Sequence, residues 1–316
     1  MMKLIRYVND LHKHFPNGSA VTIGNFDGLH LGHQAIFQRL NQKAKAFGMK
    51  SVVMTFEPLP REYFLKDRAP SRLTRFREKY LWMQQYKMDY MLCLHFNRKL
   101  AELSAADFVQ RILIEGLNTR YLLVGKDFRF GHQKEGNLDF LQKQSGRWNV
   151  EVASDVLVDN ERVSSTRVRE VLKASSFEKA HALLGRPYSI IGKVVRGDQR
   201  ARTWGVPTAN LNMRSSVFPT VLPVQGVYVV EVLGIEGEKT VPGVANVGCR
   251  PTVDGFRQLL EVHLLNFDQN IYGKHIEVVF LKKLRDEKRF DSVTALKEQI
   301  LCDVEDAKDY FLKNIS

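Results

Sequence analysis

The sequence predicts an α/β protein in which a doubly wound parallel sheet is followed by a small antiparallel β-barrel with a C-terminal helix. Short apolar runs alternate with helical patterns over residues 1–185, which predicts a parallel sheet covered by helices on both faces. From residue 186 onward, alternating β-runs separated by Gly and Pro predict the barrel. We therefore expect two domains, 1–185 and 186–316, as a chain of 316 residues readily accommodates.

The elements of the first half follow from its apolar pattern. Four buried strands are expected, at 21–23, 51–56, 90–94 and 121–124. A helix over 31–47 should end at Gly48 and bury one apolar stripe made of Ile36, Leu40, Ala44 and Phe47. Ser104 and Asp107 have the spacing of a helix start and lead into a helix over 108–117.

The first half closes with a helix over 177–184, which Gly185 and Pro187 should end. The strands of the barrel are expected at 189–195, 226–232, 240–247, 259–267 and 276–281. A final helix should start near Ser292 after a capping Asp291 and pack on the barrel through Val293, Leu296, Ile300, Val304 and Phe311.

Composition narrows the class of partner. The net charge is +12, but no block of five or six Lys and Arg residues occurs, which favours scattered phosphate pockets over nucleic-acid binding. No apolar run reaches the ~20 residues of a membrane span, and the N-terminus has no signal-peptide pattern. Three widely spaced cysteines, Cys93, Cys249 and Cys302, are typical of a reducing compartment. We expect a cytoplasmic protein without nucleic-acid or membrane partners.

The segment from Val21 to His33 is the first functional signal. Gly24 and a second glycine break the apolar strand, and a helix begins shortly after. His30 and His33 are three residues apart at that helix start, so both rings share a face beside exposed backbone N–H groups. Gly32 lets a ligand approach the backbone. The pattern predicts a phosphate site, with capping or surface histidines as the alternative.

Three further clusters follow predicted strands or start a helix, at 55–58, 125–131 and 162–169. In the last of them, Ser165 and Thr166 can donate hydrogen bonds to phosphate oxygens. Arg162 or Arg169 can neutralise the charge of a phosphate. The alternative is a simple cap for a short helix.

The pattern Gly24-Asn-Phe-Asp-Gly-x-His30-x-Gly-His33, together with Ser164-Ser-Thr-x-x-Arg169, resembles the adenylyltransferase half of the bifunctional riboflavin kinase/FMN adenylyltransferases, or FAD synthetases. The resemblance implies a sheet of the nucleotidylyltransferase type, in which the FMN phosphate attacks the α-phosphorus of ATP and pyrophosphate leaves. His30 and His33 would hold the triphosphate. The residues implied on the ATP side are Gly24, Phe26, Gly32, Arg162, Ser165, Thr166 and Arg169.

Two other positions in this half bear on the resemblance. Asp127 and Phe128 are candidates for the flavin side of the site, with the nucleotide side as the alternative. Leu59 stands where the family usually has His between two prolines, so a polar group near the substrate is missing. The phosphate-binding pattern itself is intact.

The segment from Gly205 to Asn210 is the second functional signal. Residues i and i+2 of an extended segment face the same way, so Thr208 and Asn210 can direct two oxygens at one point, which suits Mg²⁺. Pro207 stiffens the approach, and the polar loop that starts at Gly197 could wrap phosphates. An ordinary turn is the alternative.

Glu261 is the candidate base. Leu260, Val262 and Leu264 alternate onto one face of a strand, which places Glu261 and His263 on the other face. A carboxylate there could accept the proton of an attacking alcohol, although a solvated Glu on a barrel exterior is the common alternative.

The order of these motifs resembles the riboflavin kinase module: Pro-Thr208-Ala-Asn210, then Asn246-x-Gly-x-Arg-Pro-Thr, Glu261-x-His and Leu-Arg285-x-Glu287. The resemblance implies that Thr208 and Asn210 bind Mg²⁺ with ATP while Glu261 deprotonates the ribityl hydroxyl of riboflavin. The ATP- and flavin-binding residues would be Gly197, Gly205, Pro207, Asn246, Arg285 and Glu287. Small departures from the family pattern occur at Ala201, Val206 and Val262.

The sequence therefore predicts two successive transferase reactions: riboflavin to FMN, then FMN to FAD, each with ATP as co-substrate. The expected partners are riboflavin, FMN, FAD and ATP, with apo-flavoproteins downstream. One alternative is a nucleotidylyltransferase with a non-catalytic, flavin-binding C-terminal module. Another is a class I aminoacyl-tRNA synthetase, which shares His-x-Gly-His but would not account for the barrel motifs.

Overall fold

A computed structural model describes residues 1–7, 11–144, 146–196, 206–213, 221–237, 239–252 and 255–314. Contacts between Cα atoms divide the chain into two compact units: Met1–Pro70 with Thr74–Ser164, and Ser71–Leu73 with Ser165–Ser316. The domain boundary expected between residues 185 and 186 stays a prediction. Gly197, Ala201 and Gly205 lie outside the described residues.

The first unit is built on a parallel sheet with six strands in the described residues. They are β1 (Lys3–Ile5), β2 (Ser19–Ile23), β3 (Lys50–Glu57), β4 (Tyr90–His95), β5 (Thr119–Val124) and β6 (Asn149–Val152). Their order is β1-β4-β3-β2-β5-β6, and each neighbouring pair is parallel. The four apolar strands are confirmed. The edge strands β1 and β6 carry no continuous apolar run that would have indicated them.

Helices connect these strands. They are α1 (Leu31–Ala46), α2 (Pro60–Leu65), α3 (Phe76–Gln85), α4 (Arg98–Ala101), α5 (Ala105–Asp107), a π-helix (Phe108–Gly116) and α6 (Leu138–Lys143), followed by the small hairpin of β7 (Leu157–Val158) and β8 (Glu161–Arg162). Ser104 starts α5 as expected, since its Oγ accepts a hydrogen bond from the backbone N–H of Asp107 at 3.0 Å.

Both faces of the sheet are covered, as a doubly wound fold requires. Val21 and Val52 belong to one apolar cluster, and Ala20 and Val53 belong to the other, because successive strand residues point to opposite faces. The prediction that Phe47 belongs to the buried stripe of α1 is wrong, because this residue is 60% exposed. The helix ends at Ala46, so Phe47 occupies the C-cap position and turns away from the core.

The second unit combines a barrel with helices. Its elements are α7 (Ser165–Lys173), α8 (Phe177–Leu184), β9 (Ser189–Val195), β10 (Thr208–Leu211), β11 (Gly226–Glu236), β12 (Lys239–Thr252), β13 (Gly255–Leu264), β14 (His275–Arg285) and α9 (Val293–Lys313). The described strands close an antiparallel barrel in the order β10-β13-β12-β11-β14-β9. Gly185 ends α8 in the left-handed region, at φ 69°, as the sequence predicts.

The helix α9 packs on the outer face of the barrel. Val304 and Ala307 are buried against Val227, Val229 and Val244. The start of the predicted helix is corrected in two respects. Its N-cap is Ser292 rather than Asp291, since the Ser292 hydroxyl accepts the N–H of Ala295 at 3.1 Å, and the first helical residue, Val293, is 64% exposed.

None of the helices in the described part of the chain has the combination of length and apolar character that crossing a bilayer requires.

Candidate active sites

The signature loop leaves the carboxyl end of β2 in a tightly wound path. Gly28 has a φ of 87°, and the non-glycine residues Phe26 and Leu29 have φ values of 47° and 44°. Side chains rarely adopt this left-handed region, and such strain clusters at functional sites. Gly24 is also constrained, because a Cβ there would lie 3.0 Å from the Phe26 ring. Glycine at positions 24 and 28 therefore suits the tight path of this loop.

The two histidines form a stacked pair at the start of α1. Their ring centroids are 3.6 Å apart with an interplanar angle of 21°. His30 is the N-cap, and its carbonyl accepts the N–H of His33 at 2.8 Å. A Cβ on Gly32 would lie 3.2 Å from the His30 ring, so glycine allows this close approach. The predicted shared face of His30 and His33 is therefore present in the geometry.

His33 is held in its neutral form. Burial is the largest cause that lowers its pKa well below the usual value, followed by repulsion from His30 and Lys79. Its Nδ1 is buried and has no hydrogen-bond partner within the described residues. The ring also packs edge-on against Phe26, at 5.2 Å between centroids. A neutral imidazole here can present one N–H to an anionic ligand.

A second loop leaves the sheet next to the first one. β5 pairs with β2 on one side, and β3 pairs with β2 on the other side. The strand order therefore reverses between β2 and β5. The carboxyl ends of β2 and β5 therefore form the switch point at which open α/β sheets bind ligands. Asp127 and Phe128 follow β5, so the fold brings the flavin-side candidates to the same edge as the histidines.

Arg162 has acidic partners in this structure. Its guanidinium contacts the Asp127 carboxylate at 2.8 Å and the Asp155 carboxylate at 2.8 Å, and Asp155 also binds Lys126 at 2.6 Å. The hydrogen bond from Arg162 lowers the pKa of Asp127, which therefore stays ionised. Arg162 would have to exchange a carboxylate for a phosphate in order to act as predicted.

The remaining phosphate candidates lie in the second unit. Ser165 and Thr166 are the first two residues of α7, with Ser165 half-buried and Thr166 exposed. Arg169 donates from Nε to the carbonyl of Ser71. Ser165 thus stands at the helix start that the sequence predicts.

Two features of the first unit bear on the sequence prediction. Leu59 is only 6% exposed, and its backbone N–H donates to the Glu62 carboxylate at 2.8 Å. The leucine that replaces the usual His is therefore a buried apolar residue.

Sequence reasoning missed Lys79, a buried lysine of α3 whose Nζ donates to the carbonyl of Asn25 in the signature loop. Its position within an ordinary helical pattern gave no signal.

Strand register builds the second site. Asn210 of β10 and Asn246 of β12 both pair with Glu261 of the intervening β13. The three side chains therefore lie in one row across three strands on the outer face, with directly opposed Cβ atoms about 5 Å apart. Leu260 and Val262 are buried, which confirms that Glu261 points outward.

Thr208 lies in the next row and pairs with His263. His263 contacts the carbonyl of Pro207 through Nδ1 at 2.9 Å, which ties the residue before Thr208 to β13. Burial lowers the pKa of His263, so its ring is mostly neutral near pH 7. Thr208 and Asn210 share the half-buried face of β10, as their spacing predicts.

The segment after β14 approaches the same row. The Glu287 carboxylate lies over Gly248, where any Cβ would collide with it, and it accepts a hydrogen bond from the side-chain amide of Gln225 at 2.8 Å. Arg285 instead binds Asp303 of α9 through two parallel hydrogen bonds, of 2.8 and 2.7 Å. Both side chains are largely buried, so this pair anchors α9 to the barrel beside the site.

A cavity of about 390 Å³ adjoins Thr208. Its walls include apolar residues and the loop after β13, among them Val194, Pro207, Phe267, Asp268 and Tyr272. Sequence reasoning missed this loop because we expected the strand to continue to residue 267, whereas β13 ends at Leu264.

Known proteins match the whole chain. The family model described as FAD synthetase matches residues 12–167, and the one described as riboflavin kinase matches residues 184–311. The bifunctional riboflavin kinase/FMN adenylyltransferase of Escherichia coli (strain K12) is 46% identical over 98% of each chain. The protein of the same name from Haemophilus influenzae is 43% identical, over 98% of this chain and 99% of the relative.

A solved structure has the same fold from end to end. It is named as a macrolide-efflux protein from Streptococcus pneumoniae, and it covers 100% of both chains with a TM-score of 0.78 at 31% identity. The likeness thus extends over both units.

Proposed function

The chain belongs to the bifunctional riboflavin kinase/FMN adenylyltransferase family, and we propose how its residues divide the two reactions between them. The barrel and α9 phosphorylate riboflavin to FMN. The sheet domain then joins FMN to the adenylyl group of ATP and yields FAD. The proposed domains are 1–185 for adenylyl transfer and 186–316 for the kinase.

In the adenylyl transfer, an oxygen of the FMN phosphate forms a bond to the α-phosphorus of ATP. The bond from that phosphorus to the bridging oxygen breaks, and pyrophosphate leaves with the electron pair. No protein nucleophile is needed, so the chain contributes position and charge. His30 and the neutral His33 donate to the triphosphate at the start of α1. Ser165 and Thr166 donate to its phosphates, and Asp127 and Phe128 face the flavin.

In the kinase step, Glu261 accepts the proton of the ribityl 5′-hydroxyl of riboflavin. The freed oxygen attacks the γ-phosphorus of ATP, and ADP leaves in line with it. Asn210 and Asn246 flank Glu261 on the two neighbouring strands. Glu287 approaches the same row over Gly248, and this proximity supports its assignment to the flavin.

Thr208 and Asn210 suit a magnesium ion bound with ATP. Two uncharged oxygen donors on one face of a strand are hard ligands that leave most positions for phosphate oxygens and water. When bound, the ion neutralises charge on the phosphates. The chain's own part is to hold Thr208, through the contact of His263 with Pro207, in the row next to that of Glu261.

The cavity beside Thr208 would take the nucleoside of ATP in the kinase. Val194, Phe267 and Tyr272 offer apolar and aromatic surface for a flat base, and Asp268 offers a hydrogen-bond acceptor. Because the cavity adjoins Thr208, a nucleoside there would extend its phosphates toward the row that contains Glu261.

A cytoplasmic location is part of the proposal. Cys93, Cys249 and Cys302 form no disulfide bonds, as is usual in a reducing compartment.

The observation that carries the proposal is the row of Asn210, Glu261 and Asn246, which strand register assembles from three separate motifs. Labelled ATP tests it. With riboflavin, Mg²⁺ and γ-labelled ATP, the label should appear in FMN and then in FAD. With α-labelled ATP, it should appear in FAD and never in FMN. Absence of labelled FMN in the first experiment would refute the kinase assignment.

A further inference from the structure

Lys79 is a fully buried lysine at the base of the signature loop. Its side chain projects from α3 and is only 1% exposed. The Nζ atom donates to the backbone carbonyl of Asn25 at 2.6 Å and reaches the Thr55 hydroxyl at 3.5 Å. Thr55, at the end of β3, also donates to the same carbonyl at 3.3 Å. The ammonium group thus joins two neighbouring strand ends to α3.

The residues just before α3 hold the other side of the loop. The Asp27 carboxylate accepts hydrogen bonds from the backbone N–H and the hydroxyl of Thr74, at 2.9 and 3.2 Å. The Thr74 hydroxyl in turn accepts the N–H of Gly28 at 3.0 Å. Asp27 and Thr74 are both buried. The loop is therefore clamped on two sides, at Asn25 by Lys79 and at Asp27 by Thr74.

Such a clamp fits the strained path of the loop. Phe26 lies between the two clamped residues at a φ of 47°, and its ring packs edge-on against His33. Left-handed backbone at a non-glycine residue persists only when the surroundings impose it. Loss of the Asn25 contact would let this turn relax and would move the aromatic surface on which His33 rests.

The charge of Lys79 acts on the same site. Taking an ammonium group out of water is costly, and a polar carbonyl offsets that cost only in part. Repulsion from Lys79 adds to burial and to His30 in favouring neutral His33. Lys79 and His30 are the charged or titratable groups that act on this ring from α3 and from the loop, while Asp27 is engaged by Thr74. Because His33 is neutral, Lys79 is a source of positive charge that does not depend on protonation of that ring.

We propose that Lys79 is a positioning residue for adenylyl transfer, which holds the Asn25–Phe26 turn beneath the stacked histidines and supplies the fixed positive charge of the triphosphate site. The inference rests on the proposed function, because it takes His30 and His33 as the residues that hold ATP. A polyanionic triphosphate gains most from a charge that is already buried and oriented before it binds.

Substitution of Lys79 by Met, which keeps the length of the side chain, tests both roles. FMN-to-FAD turnover should fall by about 100-fold, the loss typical of one preorganised charged partner. Lys79→Arg, which keeps the charge, should recover at least part of that turnover. Riboflavin phosphorylation by the same full-length chain is the internal control. Lys45→Met, which removes an exposed lysine from α1, is the matched control and should leave both reactions unchanged.

The pH profile separates the electrostatic role from a merely structural one. In Lys79→Met, His33 loses one source of repulsion and should take up a proton at a higher pH, so the acid limb of FAD formation should move to higher pH. If turnover stays within twofold of the parent, or falls equally in Lys79→Arg and Lys79→Met with no shift of that limb, the proposal is overturned.

A measurement on the unmodified protein covers the case in which Lys79→Met fails to fold. Carbon-13-labelled histidine, with His33→Gln used for assignment, reports the protonation of His33 by NMR. The ring should stay neutral well below pH 6.5, and an ordinary titration near that pH would overturn the proposal. His30→Ala in the same FAD assay distinguishes failure of the proposed function from failure of the role of Lys79. If His30→Ala keeps full activity, the assignment of the ATP site is the part that fails.

Discussion

At the scale of single residues, the two candidate sites use side chains in opposite ways. Glu261 is an outward-facing carboxylate between two asparagines, where hydrogen-bonding groups surround it and the ionised form can accept a proton. His30 and His33 are stacked and partly or fully buried, and burial keeps His33 neutral. The barrel site therefore offers a base in Glu261. The site at the start of α1 offers hydrogen-bond donors, and its neutral His33 need not change protonation.

Glu261→Gln should lower FMN formation by at least about 100-fold, because the amide keeps the shape of the side chain but cannot accept the proton. Conversion of supplied FMN to FAD should remain close to that of the parent. Product chromatography with riboflavin or with FMN as the substrate measures each step. Equal loss in both assays would contradict the assignment, and Glu277→Gln, on β14, is a matched control.

His30→Ala should lower FAD formation by about 100-fold, since a donor at the start of α1 is lost together with the stacked ring that holds His33. Riboflavin phosphorylation should be unaffected. The split between kcat and KM for ATP identifies whether the loss lies in the transition state or in binding. A normal rate of FAD formation would remove the histidine pair from the mechanism.

The buried His33 should also make stability depend on pH. Its pKa is lowered in the folded chain, so the unfolded state binds more protons below about pH 6.5, and the free energy of unfolding should decrease as the pH falls through that range. The decrease is at most about 1.4 kcal/mol per pH unit for this one group. Urea unfolding at pH 7 and pH 5 should show a smaller decrease in His33→Gln than in the parent. The exposed His132→Gln should behave like the parent; equal slopes in all three proteins would contradict the expectation.

At the scale of elements, the sequence was most informative where one periodicity dominates. Strands buried on both faces carry continuous apolar runs, which is why β2 through β5 could be predicted, and strict alternation on β13 indicated the outward direction of Glu261. The pairing of Glu261 with Asn246 could not be predicted, because strand register depends on contacts that are distant in sequence.

Other parts of the sites depend on tertiary structure alone. Lys79 belongs to an ordinary helical pattern, and only the packing of α3 brings its ammonium group to Asn25. The cavity beside Thr208 arises because β13 ends before Phe267, which local apolar character would have placed within the strand. The cap of α9 differs from the predicted one by a single residue, an ordinary error when Asp and Ser are adjacent.

The buried pair of Arg285 and Asp303 should be essential for the docking of α9. Asp303→Asn leaves the Arg285 charge without its carboxylate in a largely buried position, so we expect a loss of about 3 kcal/mol in the unfolding free energy of the barrel. Urea unfolding of the full chain, followed together with riboflavin phosphorylation, measures the effect. Asp306→Asn, at an exposed position on the same helix, is the control. If Asp303→Asn and Asp306→Asn unfold at the same urea concentration, the pair does not anchor the helix.

At the scale of the whole molecule, the chain carries two separate motif sets, one along residues 24–169 and the other along residues 208–287. The product of the kinase is the substrate of the adenylyl transfer, so one chain can perform both steps on the same flavin. Because the catalytic residues of the two steps do not overlap, damage to one site should leave the other usable by a second copy of the chain.

Complementation between variants tests this division of labour most directly. With riboflavin and Mg-ATP, Glu261→Gln alone should make neither product, and His30→Ala alone should make FMN but little FAD. An equal mixture of the two variants should make FAD, because FMN released by one copy is adenylylated by the other. Failure of the mixture to form FAD, when each variant retains its own remaining step, would contradict the account, as would FMN formation by Glu261→Gln at a rate close to that of the parent.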